Sequence, residues 1–397
     1  MIVKKSPLNI LIIGTGMYVC GRGTKEFGTI LPAIYEWKRN NLLGDVYVAG
    51  VHKEGINVLK RKADELNELF GHNVEFKLYP VNGGDPDAYK IALNKIPKPA
   101  CAIVVVPDSL HRKIAGDAIE KGFHTLVVKP LAPTLKEVKE LIVLQEKHDV
   151  YCAVEFHKRL DRSNIKLRDC FESGKIGDPL YFIVEYSQRK NIPKDRFNRW
   201  VETTNVFQYL GIHYVDIIYY ATRAVPLRVM AVGQKNYLSS KGIDVYDSIQ
   251  VVIEWKMSSK RTFTSSFFTN WIDSERTSAM SDQKIKVIGT KGRYEADQKM
   301  RGIKVVTDEG GIEEPNPDFC SAYGFRKGEI MYQGYGIESV KQFLSDVTDL
   351  ECGKAKRESF EGKRPTFKNA LVSTAVLETA NKSLGENGAW LDMSVEP

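Results

Sequence analysis

Apolar residues fall in short, nearly unbroken runs along the first 150 positions of this 397-residue chain, at 9–13, 46–51, 101–106 and 126–128, with an alternating strand-like segment at 74–78. Runs of that length and composition predict strands buried on both faces. Between them the apolar positions recur at helical spacing, which predicts helices near 29–37, 57–70 and 118–121. Another helix starts at Thr134, where Glu137 three residues on completes a capping box and Val138, Leu141 and Ile142 form the apolar stripe. Strands alternating with helices predict an α/β domain with a parallel, doubly wound sheet over residues 1–150. The pattern then changes. Segments at 180–186, 229–232, 249–255 and 262–268 alternate with a period of two and have few helices between them. A second, α+β domain over 151–397, built on a large, mostly antiparallel open sheet, is the expectation.

Composition narrows the function classes. Hydrophobic residues at 43% and charged residues at 27% describe an ordinary globular protein, with no apolar run of the ~18 residues a membrane helix needs. The first six residues are short and basic and lead into a strand and glycines, which is not the layout of a secretory signal. A net charge of +7 suits anionic ligands, or simply a mildly basic surface. No basic block with interleaved aromatics suggests a nucleic-acid face. Six scattered cysteines without C-x-x-C spacing point away from a metal site and towards a reduced, cytoplasmic chain.

Candidate chemistry sits where the predicted strands end. The first runs into Gly14-Thr15-Gly16-Met17-Tyr18, where one glycine allows a tight turn and the next lets the backbone approach a pyrophosphate. The third glycine of that pattern is replaced by Val19, and Gly21 and Gly23 extend the loop. After the second strand, where NAD-specific folds place an acidic residue, the chain reads His52-Lys53. Lys53 there tolerates a 2′-phosphate, so NAD or NADP is expected; the alternative is an exposed loop charge. A later strand ends in Lys129-Pro130. A lysine at the carboxyl end of a buried strand stands where ligands bind in open α/β sheets. If 203–216 is helical, Tyr209 and His213 share a face, and an imidazole can exchange protons near neutral pH.

These landmarks together resemble the Gfo/Idh/MocA family of oxidoreductases. Gly14-Thr15-Gly16, Pro107-Asp108-Ser109-Leu110-His111 and Val128-Lys129-Pro130 follow in family order, the last departing from the usual E-K-P by its valine. Residues 154–159, 173–177, 286–292, 334–338 and 370–383 continue the resemblance almost to the end. The resemblance implies a Rossmann domain with cofactor contacts at Gly14, Thr15, Gly16, Met17, Tyr18, His52, Lys53, Pro107, Asp108, His111, Lys129 and Pro130. It places His213 on the substrate hydroxyl, with Tyr209 where the family has an aspartate, so no role requiring a carboxylate transfers to Tyr209. Arg159, Arg199 and Trp200 are candidates for holding a sugar, beside Lys129 and His213; ordinary packing is the alternative.

The expected function is hydride transfer between a nicotinamide and a secondary alcohol or ketone of a sugar, cyclitol or nucleotide sugar, with Lys129, His213 and Tyr209 as the catalytic group. The rivals are a reductase of a non-sugar ketone and a regulatory protein that binds the dinucleotide without turnover. A homodimer or homotetramer is expected, since an open sheet face needs cover.

Overall fold

The computed structural model describes residues 7–80, 84–324, 326 and 328–394, with the backbone alone for 198–199. The basic opening stretch therefore lies outside the described residues. The chain divides into two compact units, one of Met1–Ala132, Lys136–His157 and Asp318–Lys368, the other of Pro133–Leu135, Lys158–Pro317 and Asn369–Pro397.

The first unit carries six parallel strands, β1 (Leu8–Ile13), β2 (Leu43–Ala49), β3 (Phe76–Tyr79), β4 (Ala100–Val104), β5 (His124–Val128) and β6 (Cys152–Glu155). Their order is β3-β2-β1-β4-β5-β6. This is the doubly wound Rossmann arrangement, whose strand order reverses between β1 and β4 and opens a crevice at their carboxyl ends. The helices are α1 (Met17–Cys20), α2 (Ile30–Lys38), α3 (Lys53–Phe70), α4 (Ala88–Lys95), α5 (His111–Glu120) and α6 (Leu135–Lys147). Ile10, Ile12, Val46, Val48, Cys101 and Ile103 from the strands pack with Leu31, Ile34 and Leu59 from the helices in one buried core.

The second unit holds α7 (Arg162–Glu172), β7 (Pro179–Arg189), α8 (Ile212–Thr222), β8 (Val225–Gln234), β9 (Ser248–Lys256), β10 (Thr262–Asp273), β11 (Ser281–Gly289) and β12 (Gly292–Asp297). A small hairpin, β13 (Val305–Thr307) and β14 (Gly311–Glu313), follows. The chain then returns to the first unit with a second hairpin, β15 (Ser321–Tyr323) and β16 (Met331–Gln333), and with α9 (Tyr335–Glu351), before α10 (Ala370–Gly385) and β17 (Leu391–Asp392) close the second unit. The large sheet runs β12-β11-β7-β10-β9-β8-β17. All its pairings are antiparallel except β7 with β10, so the sheet is mostly antiparallel, as expected, with one parallel pair at its centre.

The boundary expected between residues 150 and 151 falls at His157 and Lys158 instead, and the segment Asp318–Lys368 belongs with the first unit. The reason is packing. Ile337, Val340, Leu344 and Val347 make an apolar stripe along α9 that is buried in the same core as α2 and the parallel strands.

Candidate active site

The glycine turn stands at the reversal of strand order. Gly14 has φ +120°, and a Cβ there would lie 2.0 Å from the carbonyl oxygen of Val105 after β4. Only a residue without a side chain fits. Around Gly16, by contrast, nothing lies within 4 Å of where a Cβ would be, so its backbone faces open space ahead of α1. A bare backbone at the crevice of a doubly wound sheet fits the pyrophosphate of a dinucleotide. Val19, the departure from the glycine pattern, is fully buried in the core, and the chain loops out before α2 begins at Ile30. Thr15 is buried against α3, since a Cβ on Gly55 would meet its Oγ1 at 2.2 Å. That contact places the first turn of α3, and so Lys53, near the glycine turn. Lys53 is the first residue of α3 rather than part of a loop, and His52 is its N-cap; both are exposed.

Lys129 follows β5 directly and is half-buried, while Pro130 is buried behind a cis peptide. Its turn is tied to the preceding one by His111, whose Nδ1 lies 2.7 Å from the Pro130 carbonyl and whose Nε2 lies 2.9 Å from that of Val106. Burial holds the His111 imidazole below its ordinary pKa, against the pull of the Asp108 carboxylate and the surrounding carbonyls. A neutral ring donates to only one of the two carbonyls. His111 thus acts as a brace between the two turns. Asp108 is buried and accepts from the Ser109 N–H at 3.1 Å, whereas Pro107 is exposed.

One group beside these turns was not singled out by the sequence. Glu155 ends β6 and pairs in register with Val128, so a carboxylate stands next to the position where the family's glutamate is missing. It is buried, and Nδ1 of His157 lies 2.8 Å from its Oε2. The same Nδ1 lies 3.4 Å from the hydroxyl of Tyr18 in the glycine loop. Its single proton favours the carboxylate, as the charge-assisted partner. Burial and the Glu155 charge push the Tyr18 phenol well above its usual pKa. His157 also stacks on Tyr335 at 5.7 Å. The available signal was a glutamate ending an apolar run with a histidine two residues on.

In the second unit His213 lies in the first turn of α8 and is buried. A single π-helical turn, Phe207–Gly211, precedes it, so the expected continuous helix is interrupted between Tyr209 and His213. The ring of Phe207 occupies the space a side chain at 211 would need, 2.2 Å from where that Cβ would be. Tyr209 packs edge-on against Phe197 at 4.9 Å and Trp200 at 5.6 Å, with Trp271 at 6.0 Å. Burial pushes its phenol up to about 12, so it stays neutral and offers no charge to an imidazole. Trp200 is half-buried at the rim of this aromatic cluster. Arg159 is 4% exposed and is bound to Asp216 through two hydrogen bonds of 2.8 and 2.5 Å and to Asn369 at 3.1 Å. That makes it a brace inside the unit rather than a group presented to substrate. The side chain of Arg199 lies outside the described residues.

Comparison with known proteins follows the same division. A model described as "Oxidoreductase family, NAD-binding Rossmann fold" matches residues 48–156, and a model of the GFO/IDH/MocA C-terminal domain matches residues 165–295. The chain is 27% identical over 300 residues to the myo-inositol 2-dehydrogenase of Thermotoga maritima, covering 71% of this chain and 84% of that one. It is 24% identical over 272 residues to the scyllo-inositol 2-dehydrogenase (NAD(+)) of Bacillus subtilis, covering 66% and 76%. Among solved structures, an inositol dehydrogenase homolog from Azotobacter vinelandii, complexed with NADH and myo-inositol, shares the fold with a TM-score of 0.71 at 15% identity over 98% of both chains. Among the described residues, no helix is long and apolar enough to cross a membrane.

Proposed function

Because this chain belongs to the Gfo/Idh/MocA family of oxidoreductases and carries its NAD-binding Rossmann fold, we propose that it oxidises or reduces one ring carbon of a cyclitol or sugar, a nucleotide sugar included. The inositol dehydrogenases among its relatives support the polyol class. When bound, the nicotinamide supplies the hydride acceptor or donor. The observation that carries the reading is Lys129. It leaves the same edge of the parallel sheet as the glycine turn, two strands away in the order β1-β4-β5, on a turn braced by His111.

In the oxidation direction the substrate carbon loses a hydride and its hydroxyl loses a proton, leaving a carbonyl. Lys129, as an ammonium, holds the reacting oxygen by a hydrogen bond that strengthens as negative charge grows there. His213 takes the hydroxyl proton on its imidazole and returns it in reduction. Tyr209 keeps its place as an aromatic wall beside that histidine's turn. An exposed lysine at the start of α3, Lys53, tolerates a 2′-phosphate, so use of NADP as well as NAD is part of the proposal.

A melting-temperature titration with NAD+, NADH, NADP+ and NADPH tests the cofactor half, since a ligand of the folded state raises the melting temperature by mass action. At least one pair shifts the melt, and Lys53→Glu weakens the phosphorylated pair selectively. Turnover of myo-inositol, scyllo-inositol and a panel of sugars then tests the chemistry. Lys129→Ala keeps cofactor binding and loses about 100-fold or more in kcat. A melt unmoved by all four dinucleotides contradicts the proposal, whereas a melt that shifts with no turnover of any polyol or sugar favours the regulatory reading.

A further inference from the structure

Lys158 and Arg159 are neighbours in sequence, are 2% and 4% exposed, and both grip α8. Arg159 does so through its paired hydrogen bonds to Asp216. Lys158 does so through its ammonium, which lies 5.3 Å from the ring centres of both Tyr186 and Tyr214 and donates to Oε1 of Gln283. The two grips fall at positions 214 and 216, directly after His213. A closed circuit backs the first of them. The Tyr214 hydroxyl donates to Gln298 at 2.7 Å, and the Gln298 amide donates to Asn164 at 2.8 Å and to Ser163 at 2.9 Å. The Asn164 amide then donates to the carbonyl of Lys158 itself at 2.9 Å.

A buried ammonium is costly, and an apolar side chain of the same length would fill the space at less expense in free energy. Burial pushes Lys158 down to about 8, while Asp161 draws it up and Arg301 draws it down. Asp161 is itself paired with Arg301 at 2.5 Å, so its charge is shared. What the ammonium provides is direction: a cation on two aromatic faces with one amide acceptor has few arrangements open to it. Direction matters here because the π-helical turn before Ile212 deprives the first turn of α8 of a regular α-helical predecessor.

We propose that Lys158 is a positioning residue for His213, its ammonium fixing the first turn of α8 through Tyr214 and Gln283 and thereby the direction in which the imidazole points. The functional weight of this inference rests on the reading of His213 as the proton-handling group. The test uses the full chain labelled with 15N-histidine, whose seven ring systems are observed by NMR at neutral pH. His213→Asn identifies the His213 signals by their loss. In Lys158→Met the His213 ring signals move or split while those of the other histidines stay in place, and NAD+ affinity stays within about twofold because the glycine turn belongs to the other unit. With a turned-over polyol, kcat falls about tenfold or more with little change in KM, the mark of lost orientation rather than lost binding. Gln283→Leu leaves the ammonium and removes its acceptor; it gives the same change in weaker form and carries the test if Lys158→Met does not fold. Unchanged His213 signals in the folded variants overturn the proposal, as does an equal disturbance of all the histidines. If His213→Asn keeps full turnover, the proton-handling reading falls, and the NMR result still decides whether Lys158 orients the ring.

Discussion

His111 shows how much of a residue's role depends on what surrounds it. Its place after Pro107-Asp108 was readable, but its use as a brace between two turns came from carbonyls contributed by residues 106 and 130, which only the fold brings together. The brace carries a pH signature. Burial depresses the folded-state pKa below the ordinary value of 6.5, so as pH falls through that value the unfolded chain takes up the proton first. The contribution of His111 to stability is therefore full above that pH and is lost on acidification. Between neutral pH and about pH 5 the melting temperature of the wild type falls more steeply than that of His111→Gln. Parallel melting curves would refute the brace. Arg159 is the opposite case, a residue whose chemistry suits sugar holding and ordinary packing alike, and which is buried against Asp216. Sequence reveals a residue's chemistry but not whether a neighbour has already engaged it.

At the scale of elements, the parallel strands and the helices between them were legible because their apolar runs and stripes are periodic over many residues. The boundaries moved by a few positions, and one move mattered. The expected helix at 57–70 starts at Lys53, which turns a loop charge into the first residue of α3. The π-helical turn at Phe207–Gly211 was not legible, since it depends on the Phe207 ring lying over Gly211 rather than on any local repeat. The glycine turn makes two separable predictions. Gly14→Ala places a Cβ against the Val105 carbonyl in a left-handed conformation and costs about 2 kcal/mol or more of stability, read by denaturant unfolding. Gly16→Val meets no protein atom, leaves stability within about 1 kcal/mol, and weakens NAD+ binding by about tenfold or more. If the two substitutions act alike, the backbone at Gly16 is not the pyrophosphate site.

For the whole molecule, the order of motifs made both fold classes and the family readable, while the return of Asp318–Lys368 to the first unit was hidden. A chain that leaves a domain and comes back bears no local mark of it; α9 is amphipathic in either setting. The outer face of the large sheet exposes Tyr181 from β7, Phe268 and Ile272 from β10 and Val232 from β8, at 38–47% each. Apolar side chains spread over an open sheet face suit a second copy of the chain. Light scattering is expected to give a dimer or tetramer at micromolar concentration, and Phe268→Lys to shift it towards monomer; a wild-type monomer would contradict this.

The proposed reaction moves a hydride between a ring carbon of a polyol and a nicotinamide, with Lys129 as a catalytic group. The most direct measurement incubates the full chain and NAD+ with myo-inositol deuterated at its ring carbons and follows the recovered cofactor by mass spectrometry. NADH recovered from the wild type is expected to carry one deuterium, and Lys129→Ala to bind NAD+ with similar affinity but to yield labelled NADH at about one hundredth of the rate or less. Label passing equally well through Lys129→Ala would contradict the assigned role of the lysine. Cofactor that binds yet acquires no label from myo-inositol or from any deuterated sugar tried would contradict hydride transfer from a polyol.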